Sequence, residues 1–578
     1  MNLLFPIKDF NLGINNSIFF EIATLSPGNY DDDIDQIIHS FIHDKEKSSI
    51  ESLTIPISLS NNFMEFSGLL LAHHIRLSRE FKFCDVPIVF YGSLKLEQLL
   101  RITPLARILL TSNVVYVDTT KYSFADIQKS LEGYKVKSFD TSAFLDQIQI
   151  NPPANYDSHH SVDNEFALIQ WSEFINCYDE LPPSFKKEYE SKLYFKYLKL
   201  KQTVTQVEIP LQKTTIETTE NINILLIDDE ATKGWETFYS SLFSNSSKTI
   251  TFKDSGIDFK NLHTKEDIIY KIESKISVFK PDVVLLDLRL FDSDFLKETL
   301  PNELTGLKVL EKIKEINKGI QVIITTASNK AWNFNLAKQK GAYDFVIKDG
   351  LENPDLAITK LRESIENASK RSIYLKPIYK EIEDSLKSWN SFQITKRKNI
   401  TDPMHDSLWH VNLKLQVNDF VKNAFDTINN DSIAERFTIS TLLLYRVIEM
   451  INEFYIIETG DNRNKTNQYH FDQDNSKIAS IKFSKNNYTA NVNVSIGTNF
   501  STKEKTYAIF YKMNGNTNKN LFDKIHQLTE YRNKVAIHPS KRFMEESLEY
   551  IFDSDFKRFN SLLNEYFSAI LVYVNSFK

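Results

Sequence analysis

Three carboxylates, one hydroxyl and one ammonium stand at the ends of hydrophobic runs in the middle of this chain. Ile224-Leu225-Leu226-Ile227 leads into Asp228 and Asp229, and Val283-Val284-Leu285-Leu286 leads into Asp287. Val322-Ile323-Ile324-Thr325 ends in Thr326, and Phe345-Val346-Ile347 ends in Lys348. Mg²⁺ takes hard oxygen ligands in octahedral geometry. A carboxylate nucleophile also needs its own charge, and that of an incoming phosphoryl group, screened before attack. Three acids, a hydroxyl and a lysine are the equipment of magnesium-dependent phosphorylation on an aspartate.

A second set lies further on. Arg532, Asn533 and His538 fall within Glu530–Pro539, after the amphipathic stretch Leu521–Leu528. RNA cleavage without a metal needs a base for the 2′-hydroxyl proton and a cation for the pentavalent phosphorane. A histidine titrating near neutrality can do the first, and an always-charged arginine fork the second. Asn533 could orient the scissile phosphate, with Lys534, Lys541 and Arg542 on the flanking backbone.

The elements that must position the first set alternate. A polar, helix-compatible stretch runs from Glu230 to Phe243, and a helix over Lys265–Val278 precedes the Asp287 strand. Leu307–Ile313 has helical spacing before the Thr326 strand, and Trp332–Lys340, stopped by Gly341, precedes the Lys348 strand. Strands alternating with helices predict a doubly wound parallel sheet. Polar groups at the carboxyl ends of its strands would share one edge, where such sheets bind ligands.

On these residues, segment 221–370 resembles the receiver domain of response regulators, a (βα)5 fold. The resemblance implies that Asp287 is the phosphoacceptor and that Asp228, Asp229, Asp287 and the backbone carbonyl of Arg289 hold Mg²⁺. It also implies that Thr326 and Lys348 meet the phosphoryl oxygens and that Phe345 is the aromatic switch. Two departures stand out: an insertion from Phe291 to Glu303, and Asp349 where a proline is common.

The Arg532-Asn533 and His538 pattern resembles the catalytic motif of HEPN ribonucleases. Leu442–Met450, with Tyr445-Arg446 and Glu449, resembles an early helix of the CRISPR-associated members. That likeness implies a mainly helical domain over 371–578, acting as a dimer, in which Glu449 pairs with Arg532 and fixes its fork. Between these helices, Asp472–Tyr511 breaks the pattern: Lys482-Phe483, Ala490–Ser495 and Thr506–Tyr511 read as strands of a small β insertion.

Bulk properties bound the rest. A chain of 578 residues needs several domains. A hydrophobic fraction of 42% with 25% charged residues is globular rather than disordered. The net charge of −7 excludes nucleic-acid binding over the whole surface and leaves room only for a local basic patch. Cys84 and Cys177 form no metal or disulfide framework, as expected of a reducing cytosol. No signal peptide or membrane span is visible, so the expected location is cytoplasmic.

Residues 1–150 carry a fainter copy of the α/β pattern. Strands are expected at Ser17–Ile22, Leu53–Leu59, Val86–Tyr91 and Val114–Val117, with helices at Asp33–His43 and Gly68–Leu77. The run Ser67-Gly68-Leu69 before Val86–Val89 echoes Thr305-Gly306-Leu307 before Val322–Ile324. No acidic pair ends its first strand, and Ser58 or Ser60 stands where the second copy has Asp287, so this unit reads as a degenerate receiver. His73-His74 reads as one ring toward the sheet and one toward solvent, and His159-His160 as a solvated loop. Residues 151–220 read as a helical connector with buried aromatics, closing in a flexible linker, Thr214–Glu220. The basic run Lys396–Lys398 reads as a solvated loop, and Leu356–Trp389 as one long helix into the C-terminal module.

The expectation is a bacterial response regulator, phosphorylated on Asp287 by a histidine kinase or phosphotransfer protein, with an RNA-cleaving HEPN output in phage defence or stress-induced growth arrest. The alternative is a non-catalytic signalling adaptor whose HEPN fold serves dimerisation or partner binding.

Overall fold

The computed structural model describes residues 2–4, 17–19, 30–45, 50–59, 63–79, 83–122, 126, 129, 134–152, 159–205, 215–218, 220–244, 249–296, 299–327, 331–350, 353–391, 403–433, 436–459, 468–471, 480–484, 487–491, 502–514, 519–532 and 556–575. The first unit contains β1 (Asn2–Leu4), β2 (Ser17–Phe19), α1 (Tyr30–Lys45), β3 (Ser52–Pro56), α2 (Ser67–Leu77), β4 (Ile88–Gly92), α3 (Leu96–Ile102) and β5 (Val114–Asp118). Its five strands are all parallel in the order β2-β1-β3-β4-β5. Sequence reading took Ser17–Ile22 as the first strand and passed over Asn2–Leu4, because three residues carry too little periodicity to register.

Four connector helices follow: α4 (Thr141–Gln147), α5 (His159–Phe174), α6 (Pro183–Ser191) and α7 (Leu193–Thr205). His159 and His160 form the first turn of α5 rather than a loop. Leu193 and Leu200 of α7 enter the core of the first unit, while Val162, Phe166, Leu168 and Trp171 of α5 enter the core of the next. Lys196 binds Asp35 of α1 at 2.5 Å. The expected flexible linker is corrected over residues 215–218. Ile216 is fully buried, and the Glu217 amide donates to Glu366 Oε1 at 2.9 Å. A single isoleucine in a threonine-rich run was enough to dock the segment.

The central unit has β6 (Ile222–Ile227), α8 (Trp235–Ser244), β7 (Ile250–Asp254), α9 (Lys265–Phe279), β8 (Val283–Leu286), α10 (Thr305–Ile316), β9 (Gln321–Thr326), α11 (Ala331–Gln339), β10 (Asp344–Ile347) and α12 (Pro354–Ser391). All pairings are parallel, in the order β7-β6-β8-β9-β10. β6, β8 and β9 are near-continuous apolar runs because helices cover both faces of the sheet. Alternation sends Leu225, Ile227, Val284 and Leu286 to the face of α9 and α10, and Ile224, Leu226, Val283 and Leu285 to the face of α8, α12 and α5. β7 is not among the four apolar runs of the sequence. As an edge strand its burial only alternates between partial and none.

Helix α12 is 38 residues, about 57 Å at 1.5 Å per residue. Ala357, Ile358, Leu361, Ile365 and Ala368 pack on the central sheet, whereas Leu375, Ile378, Ile382, Leu386 and Trp389 pack in the C-terminal bundle. Pro377 lies inside it and removes one i→i−4 hydrogen bond just past the change of core.

The bundle adds α13 (Pro403–Ile428), α14 (Arg436–Tyr455), α15 (Thr502–Asn514), α16 (Lys519–Tyr531) and α17 (Phe556–Asn575) around one apolar core. Two antiparallel hairpins, β11 (Ile456–Thr459) with β12 (Gln468–Phe471) and β13 (Ser480–Ser484) with β14 (Asn487–Asn491), sit between α14 and α15 in the chain. Thr506–Tyr511 is helical, not a strand. Its alternating Tyr507 and Ile509 mimic a strand, but Tyr507, Ala508 and Ile509 are all buried on α15, and Asn452 donates to Thr506 at 2.7 Å. The run Lys396–Lys398 lies outside the described residues.

Candidate functional site

Strand order reverses between β6 and β8, which opens a crevice at their carboxyl ends. Asp228 and Asp229 follow β6, and Asp287 follows β8. One oxygen from each lies within 4.8 Å of the others. Lys348, following β10, is fully buried and places Nζ 2.6 Å from Asp228 Oδ2 and 3.6 Å from Asp287 Oδ2. Thr326 is buried at the end of β9 and donates to Asp287. The sequence-predicted acids, hydroxyl and lysine therefore meet in one place.

Backbone amides fix the carboxylates. Glu230 N donates to Asp228 Oδ1 at 2.8 Å, and Leu288 N and Arg289 N donate to Asp287 Oδ1 at 2.5 and 3.3 Å. Asp287 Oδ2 is left facing Lys348. Burial pushes the Asp287 carboxyl up to about 6, with Lys348 opposing and Asp228 adding to the rise. Asp229 is raised well above the carboxylate range, first by burial and then by Asp228, Asp287 and Glu230. Burial alone would depress Lys348, but Asp228 and Asp287 overturn that and hold it charged. Three crowded acids against one ammonium leave an excess of negative charge. A divalent cation with hard-oxygen preference fits that donor set.

Trp235 and the Glu230–Gly234 turn carry no signal in the sequence that ties them to this pocket. The Lys348 ammonium stands 4.4 Å from the centre of the Trp235 ring, a cation–π contact. Glu230 begins a turn, Ala231–Lys233, and Gly234 at φ +146° releases the chain into α8, so the helix starts at Trp235 rather than Glu230. Phe345 is buried, its ring edge-on to Phe334 at 5.7 Å. Asp294 ties down the described residues of the 291–303 insertion. That buried carboxylate binds Lys265 at 2.6 Å and accepts from Leu290 N, Phe291 N and Thr305 N.

The first unit can be aligned with the central one through a shared contact. Gly306 N donates to Leu288 O at 3.0 Å, and Gly68 N donates to Ile57 O at 3.1 Å. A Cβ on Gly306 would collide with the Asp287 carbonyl, and one on Gly68 with the Pro56 carbonyl. Pro56 thus stands where Asp287 stands. Strand register then places Gly92 opposite Thr326 and Thr119 opposite Lys348, since Thr119 N donates to Gly92 O at 2.8 Å as Lys348 N does to Thr326 O. The expectation of Ser58 or Ser60 at the acceptor position is corrected by two residues for Ser58, and Ser60 lies outside the described residues. His73 and His74 are both fully buried, bonded to Leu105 O and Asp31 at 3.0 Å each, so neither faces solvent.

In the bundle, Arg532 at the end of α16 lies 3.5 Å from Glu449 Oε1 on α14, with its guanidinium 4.9 Å from the Tyr445 ring centre. Arg446 also binds Glu449 at 3.1 Å. Asn533, Lys534, His538, Lys541 and Arg542 lie outside the described residues. Between the central sheet and the bundle, Arg371 of α12 donates to Asn429 O at 3.0 Å and Gln321 Oε1 at 3.3 Å, and pairs with Asp431. A cleft of about 830 Å³ opens beside it.

Comparison with known proteins bears on these units. Residues 1–117 match the family model described as Inactive Receiver domain, iREC. Over 121 residues the chain is 30% identical to the luminescence regulatory protein LuxO of Vibrio campbellii and to the regulatory protein LuxO of Vibrio parahaemolyticus, in each case 21% of this chain and 22% of the relative. The chain therefore spans about a fifth of the length of these curated relatives. The crystal structure of NtrX from Brucella abortus in complex with ADP matches at TM-score 0.19 and 16% identity, covering 34% of this chain and 33% of that one, too weak a likeness to bear on the fold. Among the described residues no helix is long and apolar enough to cross a membrane. The chain carries receiver-like architecture of the response-regulator kind, and its first 117 residues match the inactive form.

Proposed function

We propose that the central unit is a phosphoryl-accepting receiver and that the C-terminal bundle is its RNA-cleaving output, of HEPN type. The observation that carries the first half is the convergence of Asp228, Asp229 and Asp287 beside a buried Lys348. Asp287 Oδ2 attacks phosphorus as the bond to the donor, a phosphohistidine of a kinase or phosphotransfer protein, breaks. Lys348 and Thr326 stand where they can bind the transferred oxygens, and Asp228 and Asp229 would hold Mg²⁺. When bound, Mg²⁺ screens the repulsion between nucleophile and phosphate. Moving Thr326 would then act on Phe345, which packs one strand away.

The coupling route is α12, which is anchored in both cores and clamped at Arg371. For the output, the reading rests on Arg532, just past α16, with one guanidinium nitrogen 3.5 Å from Glu449 Oε1 and the group 4.9 Å from the Tyr445 ring centre. His538 would take the 2′-hydroxyl proton and Arg532 would stabilise the phosphorane, leaving a cyclic phosphate. Two copies in a homodimer would form a shared groove. The test is incubation of the purified chain with RNA, with and without beryllofluoride and Mg²⁺, beside Arg532→Ala and His538→Ala. Cleavage in the wild type alone supports the nuclease. Equal behaviour of all three leaves the bundle as a non-catalytic docking or dimerisation module.

A further inference from the structure

The turn that carries the acidic pair is held from outside the central unit. Asn164 and Glu165, both buried on connector helix α5, reach across to it. Asn164 Nδ2 donates to Glu230 Oε2, and Lys233 Nζ bridges Glu165 Oε1 at 3.0 Å and Glu230 Oε1 at 2.7 Å. Glu230 is the residue whose amide fixes Asp228 Oδ1. The same helix braces the opposite wall of the pocket. A Cβ on Gly350, two residues past Lys348, would lie 2.5 Å from the Phe166 ring and 2.7 Å from Ala167 N, and Gln202 of α7 donates to Gly350 O at 3.1 Å. Trp171 of α5 meets Trp235 edge-on at 5.5 Å, directly behind Lys348. One helix thus touches the Asp228–Asp229 turn, the Trp235 helix and the Lys348 loop.

Burying an amide and a carboxylate costs free energy unless they find partners; here the Asn164 Nδ2 donor and the Glu165 carboxylate find theirs on the pocket's own turn, while Asn164 Oδ1 stays buried without one. An apolar α5 would pack as well on Phe238 and Ala357. We propose that Asn164 and Glu165 are positioning residues for the pocket, holding the Glu230–Lys233 turn so that Asp228 and Asp229 are set for a divalent cation. This rests on the reading of the pocket as a magnesium site. Neither residue touches the cation; each acts through Glu230 or Lys233.

The experiment is a Mg²⁺ titration of the full chain, followed by intrinsic tryptophan fluorescence with calorimetry alongside. Trp235 beside Lys348 supplies the optical signal. Asn164→Ala removes no charge, Glu165→Gln removes one, and Glu165→Asp restores it; circular dichroism confirms folding of each. We expect Asn164→Ala and Glu165→Gln to weaken Mg²⁺ binding at least fivefold and Glu165→Asp to return within twofold of wild type. Wild-type affinity in Asn164→Ala, with or without a change in Glu165→Gln, overturns the proposal, because a bare charge effect would spare the amide. A wild-type chain with no Mg²⁺ response, like Asp229→Asn, would instead overturn the magnesium reading itself, so the two failures are told apart.

Discussion

Two sheets in this chain share one topology and differ in what their strands deliver. In the central unit the carboxyl ends of the strands offer Asp228, Asp229, Asp287, Thr326 and Lys348. In the first, the three positions fixed by register are Pro56, Gly92 and Thr119. The glycine that seats the following helix against the third strand is retained in both, as Gly68 and Gly306. The packing requirement is common to both units and the chemistry is not: the sheet needs the close helix approach whether or not an aspartate stands beside it. The match of residues 1–117 to an inactive receiver agrees with that geometry.

The most severe test of the correspondence is steric. Gly68→Ala and Gly306→Ala each drive a Cβ into backbone that cannot rotate away, so each should cost about 3 kcal/mol or more. Chemical denaturation with hydrogen exchange would localise the loss to the mutated unit. Tolerance of one substitution but not the other would break the alignment that places Pro56 at the acceptor position.

Acid should drive the two units in opposite directions. Buried His73 is depressed from 6.5 to about 4, mainly by burial. Below the unfolded value the unfolded chain binds the proton more readily, so stability falls as pH drops from 6.5 toward 4, by about 2 kcal/mol at pH 5. Asp287 is raised from 3.8 to about 6, so its folded form binds the proton first, and stability rises as pH drops through 6, by about 1 kcal/mol at pH 5. Exchange protection measured at pH 7 and pH 5, corrected for intrinsic rates, should fall in the first unit and rise in the central one. Parallel loss in both would contradict this assignment of buried charge.

Mg²⁺ sharpens the contrast. At pH 7 the crowded acids destabilise the central unit, so Asp229→Asn in metal-free buffer should raise its stability by about 1 kcal/mol or more. Mg²⁺ should raise the melting temperature of the wild type and leave the variant unmoved. Smallest of all, Lys318→Ala removes an exposed pair with Asp426 and should cost under about 1 kcal/mol. A larger loss would mean that water does not screen this pair as its exposure implies.

Much of the central unit was legible because its strands are strong apolar runs and its acids end them. β7 was not, since a solvent-lined edge strand has weak alternation. Asn2–Leu4 was too short. The repeat was visible in Ser67-Gly68 and Thr305-Gly306, but the residue replacing Asp287 required backbone contacts that no spacing rule supplies. His73 and His74 looked half-exposed because a histidine pair on an amphipathic helix ordinarily is. Their burial depends on Asp31 of α1 and on the backbone at Leu105, which meet α2 from distant sequence. Asn164, Glu165 and Trp235 were invisible as site residues for the same reason: each matters only through a neighbour folded onto it. The Glu449–Arg532 pairing was anticipated from resemblance, and the structure brings the two side chains within 3.5 Å.

Asp287 is the acceptor on which the proposed switch depends, in a chain whose first receiver-like unit carries Pro56 at the matching position. Intact mass of the full chain after incubation with a small phosphodonor, with and without Mg²⁺, tests this directly. A gain of one phosphoryl group is expected, an acyl phosphate cleaved by base and by hydroxylamine, that needs Mg²⁺ and disappears in Asp287→Asn. A wild-type chain that gains nothing, or a variant that gains as much, would contradict it.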